Sequence, residues 1–307
     1  MILYRWQGTT RNFGDELNTV LWPALLPDFF DDDPAERFIG IGSVLDRRHD
    51  GGGAKLVAGS GYGGYQELPD LRDAWTISWV RGPRTARLLG LPDRFGLGDP
   101  ASLLPLTGLV PLGPAVRIAF MPHFESVAAG AWDAAAVASG IALIDPRGDP
   151  VEIAAAIAGC DILMSEALHG AIVADAMGVP WIAIEPLAPI HRAKWHDWAD
   201  TLELTIRFQR LPPSTLLERA RLSRMSAYHS GRALLNRHAG ILRTIGSVRY
   251  IDNAASALRR VATVAPQLSS RTALDRCQTR MLDRPHRLRR VPLHAGQGNS
   301  YHPLPLY

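Results

Sequence analysis

Two cysteines in 307 residues, Cys160 and Cys277, are too few for a disulfide framework or a four-thiolate zinc site. A reduced compartment is the expectation. No run of about 18 apolar residues exists, so no membrane-spanning helix is expected. The chain opens on the strand-like Met1-Ile-Leu-Tyr-Arg-Trp6, without a basic n-region and apolar h-region, so a secretory leader is not expected. A formal charge of only +3 gives no case for nucleic acid as partner. Lysine is as scarce as cysteine: of 33 basic residues only Lys55 and Lys194 are lysine. Chance survival explains a lone lysine as well as a site that requires a compact ammonium rather than a planar guanidinium.

What is present is a globular chain, 47% hydrophobic and long enough for two domains. Strand patterns ending in glycine or polar turns recur: residues 1–6, Phe38–Gly42, Lys55–Gly61 and Ala74–Val80, then, after a Pro/Gly-rich stretch at 105–115, Val116–Met121, Ile141–Ile144, Asp161–Met164 and Trp181–Ile184. Thr201–Phe208 is a candidate last strand. Helical patterns intervene, among them one opened by Asn12-Phe-Gly-Asp-Glu16 and one from Pro150 capped by Asp149. This alternation predicts an α/β fold with parallel sheets. Residues 105–115 are the expected interdomain linker. From Pro213 the pattern is helical. Residues 271–290 hold seven arginines against two aspartates, and 291–307 is expected to be extended. The basic segment, with Leu274, Met281 and Leu282, is either a solvated face or a surface for anionic lipid.

The most informative stretch is Asp161 to Ile184, a strand, a turn, a helix and a strand. Ser165 is the expected N-cap, and Leu168, Ile172, Val173 and Met177 recur at helical spacing. Gly178 and Pro180 stop the helix. His169 stands one turn inside the helix N-terminus, where unpaired N–H groups and the dipole favour an anion. Elsewhere, Arg81 follows a strand and precedes Pro83 at a helix start, good geometry for a carboxylate or phosphate. Asp15 is a helix cap or a site acid; for Glu16 the cap is preferred. Asp99 is chiefly a cap. The loop Gly59–Gly64, with Ser60, is a flexible turn or a close approach to substrate. His123 is either a hydrogen-bonded structural histidine or a site residue. No His/Asp/Glu cluster has ligand spacing, so no metal is expected.

Asn12-Phe-Gly-Asp-Glu, Val80-Arg-Gly-Pro, Gly98-Asp-Pro, Pro122-His-Phe-Glu-Ser and Ser165-Glu-Ala-Leu-His-Gly-Ala, in this order, resemble the polysaccharide pyruvyl transferase family over roughly residues 1–205. Most similar is the bacterial exopolysaccharide branch that makes pyruvate ketals on succinoglycan or xanthan side chains. The resemblance implies two Rossmann-like domains in a GT-B-like arrangement with a cleft between them: 1–112 on the acceptor side, 113–250 on the donor side, and 251–307 a helical, basic extension. It implies phosphoenolpyruvate as donor, no further cofactor, and a lipid-linked oligosaccharide as acceptor. The expected location is cytoplasmic, with peripheral contact at the inner membrane as an option.

On this resemblance Arg81 and the Leu168-His169-Gly170 motif bind the donor, helped by Ser165 and Glu166 at the helix start. Many members carry arginine before Leu-His-Gly. Here Ala167 stands there, and Lys194 is the candidate for the missing cation. Ketal formation needs an acid at the donor methylene, for which His169 is expected, held charged by Glu166 or Glu185. Asp15 is the expected base. Asn12, Ser60, His123 and Glu185 are secondary or acceptor-side candidates. The alternatives are a GT-B nucleotide-sugar glycosyltransferase and a non-catalytic binding descendant, which Ala167 would favour.

Overall fold

The computed structural model describes residues 1–31, 33–72, 74–186, 189–222, 234–284 and 302–303. It holds two parallel sheets with helices around them. The first contains β1 (Ile2–Tyr4), β2 (Glu36–Ile39), β3 (Ala54–Ala58) and β4 (Trp75–Trp79), with the pair His302–Pro303 along the β4 edge. The second contains β5 (Val116–Met121), β6 (Ala142–Leu143), β7 (Cys160–Ser165), β8 (Trp181–Ile184) and β9 (Phe208–Gln209).

The second sheet has the order β6-β5-β7-β8-β9. This is a doubly wound order, and it reverses at β5. Ligands of such sheets bind beyond the carboxyl ends of the strands at that reversal. The first sheet corrects the expectation of a matching doubly wound half: its strands follow in chain order, without reversal. The cause is local. β2, β3 and β4 are joined by loops and one short 3-10 turn, Arg47–His49, so no full helix crossover swings the chain to the other side.

Helix α1 (Phe13–Glu16) and helix α2 (Asn18–Leu25) follow β1. Asn18 fastens them to the sheet, with all four hydrogen-bonding positions of its buried amide in use. Nδ2 donates to the Asp15 and Ile41 carbonyls, and Oδ1 accepts from Trp22 Nε1 and the Ile41 N–H. Trp22 meets Phe38 edge to face at 4.7 Å. Full burial of such a side chain contributes about 1.5–3 kcal/mol. A β-bulge at Val57/Ala58 shifts the register with β4 and turns Trp79 to the same face as Phe38 and Leu56.

The two halves share one apolar core. Leu103 and Leu104, on the 3-10 helix Pro100–Thr107, pack in one cluster with Leu168, Ala171 and Ile172 of helix α7 (Leu168–Ala176). The far face of each sheet has its own cluster. The chain passes from one sheet to the other over residues 108–115. Helix α3 (Pro83–Leu88) follows β4, helix α4 (Phe124–Ala129) follows β5, and helix α5 (Trp132–Ser139) leads to β6. Helix α6 (Pro150–Ala158) starts at Asp149 as expected, the carboxylate accepting from Val151 and Glu152 N–H.

The C-terminal helices close the fold. Ser247–Val261 buries Ala254, Leu258 and Val261 at helical spacing against the second sheet. Arg271–Leu282 turns Leu274, Cys277 and Met281 into the shared core, with Leu282 packed against it, and Gln278 donates to the Ser102 carbonyl at 2.7 Å. The alternative in which Leu274, Met281 and Leu282 meet lipid does not hold for these side chains: the helix spends its apolar face on the protein. Most of the extended tail expected over 291–307 lies outside the described residues. No described helix is long and apolar enough to cross a membrane.

Candidate active site

A cavity of about 370 Å³ opens between the two sheets, at the carboxyl end of β5 and β7. Both halves line it. Asn12, Phe13, Gly14, Asp15, Ser43, Arg48 and Tyr65 come from the first, and His123, Glu125, Ala167, Leu168, His169, His191 and Lys194 from the second. Glu166 braces its floor. Its carboxylate accepts from His123 N–H and Ser126 Oγ, both at 2.8 Å, and its own N–H donates to the Met121 carbonyl. The two strand ends flanking the reversal are thereby tied together.

His169 occupies the first turn of α7 on the cavity wall. Its Nε2 lies 3.4 Å from Asp99 Oδ2, and both atoms are buried with no other hydrogen-bond partner. That separation is long for an N–H···O bond, and a small closure makes one. Asp99 does two jobs: Oδ1 caps the 3-10 helix at Ala101 N–H, and Oδ2 stands behind the imidazole. The partner expected for His169 was Glu166 or Glu185. The structure corrects this, since Glu166 is taken up by the β5 turn and Glu185 pairs with Arg192 and Arg210. With Nε2–H directed at a carboxylate, Nδ1 is the nitrogen turned to the first half, where Gly14 abuts the ring.

Across the cavity, Asp15 Oδ2 accepts from Asn12 Nδ2 at 2.7 Å. Burial pushes its carboxyl above the ordinary range, opposed by the Asn12 bond and the charges of His169 and Lys194. Lys194 sits on helix α8 (Arg192–Thr201). Burial, with the nearby Arg81 charge, lowers its ammonium to about 8, against the pull of Asp15, Glu125 and Glu166. Arg48 is a second cation on the wall, held by Asp46 at 2.6 and 2.8 Å.

On the β5 side, His123 and His191 stack with centroids 4.8 Å apart. His191 Nε2 is 3.0 Å from Glu125 Oε2, and its Nδ1 is 2.9 Å from Tyr65 Oη. The buried Nδ1 of His123 has no hydrogen-bond partner and lies 3.5 Å from the same Glu125 oxygen. Burial holds His123 well below the ordinary histidine range, with cationic neighbours adding to the effect.

Comparison with known proteins gives two matches. A family model described as polysaccharide pyruvyl transferase matches residues 71–186. That span carries Asp99, His123, Glu166 and His169; Asp15 and Lys194 lie outside it. The chain is also similar to the succinoglycan biosynthesis protein ExoV of Rhizobium meliloti (strain 1021), 42% identical over 224 residues, which cover 70% of this chain and 69% of that protein.

The chain belongs to the polysaccharide pyruvyl transferase family.

No solved structure matches it. Five of the expected site residues, Ser60, Arg81, Ser165, Glu166 and Glu185, do not line the cavity. Arg81 is fully buried: it donates to Asp197 Oδ2 at 3.2 Å, Ser43 Oγ at 2.6 Å and the Tyr62 carbonyl at 3.3 Å. Its guanidinium hydrogen-bonds the cavity wall at Ser43, and its charge acts on Lys194. Asp197 also accepts from the Thr85 N–H and hydroxyl, so the pair joins α8 to the start of α3. The glycine loop makes space for protein: a Cβ at Gly61 would meet Arg81 at 2.3 Å, and one at Gly59 would meet Pro100 at 2.1 Å. Ser60 is buried, its hydroxyl donating to the Gly42 carbonyl. Ser165 ends β7 instead of capping α7. Its hydroxyl donates to the Ala167 carbonyl, and Ala167 is the N-cap without a side-chain bond. Glu185 is outside the cavity with its two arginines. Missed from sequence were Arg48, Tyr65, Glu125 and His191. Glu125 lies inside the Pro122-His-Phe-Glu-Ser motif but was passed over for His123; Arg48 and Tyr65 have no local motif, and His191 opens a conspicuous polar-aromatic run.

Proposed function

We propose that the cavity transfers pyruvate from phosphoenolpyruvate to two hydroxyls of one sugar in an exopolysaccharide repeat unit, forming a ketal and releasing phosphate. The observation that carries this reading is the convergence of His169, Asp15 and Lys194, from separate parts of the chain, on one cavity at the strand-order reversal. The donor lies toward the α7 N-terminus, where the helix dipole and Lys194 attract its carboxylate and phosphate. His169, with Asp99 behind it, gives a proton to the donor methylene carbon, making it a methyl group and its neighbour electrophilic.

Asp15 takes the proton of the first sugar hydroxyl as its oxygen bonds to that carbon. Its raised carboxyl range suits a base that must release the proton again. The carbon–oxygen bond to phosphate then breaks, and the second hydroxyl closes the ring as it loses its proton. One proton ends on the methyl group, the other leaves with phosphate. Ala167 leaves the family's arginine position empty, and Lys194 supplies the cation from α8. The two halves act as acceptor and donor sides in a GT-B-like manner, and the acceptor is lipid-linked at the cytoplasmic membrane face.

Incubation of the full chain with phosphoenolpyruvate and a lipid-linked oligosaccharide is expected to release phosphate and give a product carrying a pyruvate ketal. Turnover of UDP-sugars alone, in parallel incubations, would replace this reading with a glycosyltransferase.

A further inference from the structure

We propose that His123, Glu125 and His191 form a binding site for one divalent transition cation on the cavity wall. His123 caps the start of α4, Glu125 lies in the first turn of that helix and His191 stands at the start of α8, and the sequence gives no hint of ligand spacing. In the fold, one ligand atom from each lies within 4.8 Å of the others. Glu125 Oε2 is 3.0 Å from His191 Nε2 and 3.5 Å from His123 Nδ1. Ligands bonded at about 2.0–2.1 Å around a tetrahedral ion stand about 3.3 Å apart. Both observed separations bracket that edge.

The donor chemistry fits as well. Two imidazoles and one carboxylate suit a borderline cation such as Zn²⁺ or Co²⁺. His123 is 5% exposed, and its Nδ1 is buried without a hydrogen-bond partner, an orphan that a metal bond would satisfy. His191 shows the second feature of a metal histidine. If Nε2 faces the cation, Nδ1–H donates to Tyr65 Oη at 2.9 Å, which fixes tautomer and ring orientation. The charge balance permits a cation. Lys194, which also stands near His123 and His191, is faced by Asp15 and Glu166 besides the ligand Glu125, while Arg81 and Arg48 are paired to Asp197 and Asp46. All three ligands line the cavity, so the fourth position of a tetrahedral ion opens into it. On the ketal-forming reading above, that position takes one acceptor hydroxyl oxygen.

The full-length chain, stripped with a chelator, is titrated with Co²⁺ followed by visible absorption and with Zn²⁺ followed by calorimetry, without donor or acceptor. The expected result is one equivalent bound, with ligand-field bands from Co²⁺. Glu125→Gln and His123→Gln, each with wild-type circular dichroism, lose the bands. Tyr65→Phe keeps them and binds about 10-fold more weakly. No binding to the wild type, or equal binding by both ligand variants, overturns the proposal. Because neither substrate is present, that failure is distinct from a failure to turn over phosphoenolpyruvate.

Discussion

Gly14 lies so close to the imidazole of His169 that a Cβ at position 14 would fall 1.8 Å from Nδ1. The first turn of α1 and the first turn of α7 therefore touch through a residue with no side chain, and the ring is wedged between that backbone and Asp99. Gly14→Ala must push the imidazole aside. A shift of about 1 Å at a reacting group can cost about 10²-fold in rate. Phosphate release from phosphoenolpyruvate by Gly14→Ala is expected to fall by that order with the fold intact, as read by circular dichroism. Unchanged turnover would show that His169 does not work from this position.

Asp99→Asn keeps the shape and the Ala101 cap but removes the charge behind Nε2. The loss expected in kcat is within the ~10²–10⁴-fold that a positioned general acid contributes, with little change in KM. NMR of the His169 ring gives a second readout, since the preference for Nε2–H should weaken. A purely structural Asp99 would leave that tautomer unaltered.

Lys194 is charged below about 8 and neutral above it. Its attraction for an anionic donor is therefore present at lower pH and lost as pH rises. In the free enzyme, kcat/KM for phosphoenolpyruvate is expected to fall above pH about 8, approaching tenfold per unit. Lys194→Met should start from the low value and lose this limb. If the variant retains the same alkaline limb, the titrating group is elsewhere.

Arg81 is a test of support rather than contact. Breaking its buried pair with Asp197 by Arg81→Ala leaves a carboxylate uncompensated, a loss of about 3–5 kcal/mol in stability. Denaturant unfolding measures it. Arg81→Lys restores charge but cannot reach Asp197, Ser43 and Tyr62 together, so it should recover only part of that stability. A fully stable Arg81→Ala would show that Arg81 does not hold these elements.

Much of the fold was legible because it follows from local rules. Glycine and proline stops, the Asp149 cap and apolar runs placed β5, α6, β7, α7 and β8 within a few residues. His169, Asp15, Asn12 and Lys194 were singled out from helix-end position, motif or rarity, and each lies on the cavity wall. Besides Glu166, four other candidates do not line the cavity. Arg81, Ser60, Ser165 and Glu185 sit beside the right turns, yet their side chains point into protein or toward other partners. A sequence gives the position along an element but not the direction of a side chain past its end.

The sequence by itself determined the alternation of strands and helices, the anion-favouring start of α7 and the family to which its motifs belong, because these depend on neighbours a few residues apart. Only the tertiary structure decided the strand order of the first sheet, the burial of the basic C-terminal helix, the placement of Asp99 behind His169 and the gathering of His123, Glu125 and His191. Those relations join residues as many as 176 positions apart, as in Ser102 and Gln278. They are set by which apolar faces find cover and which buried polar atoms find partners, and no local pattern carries that information.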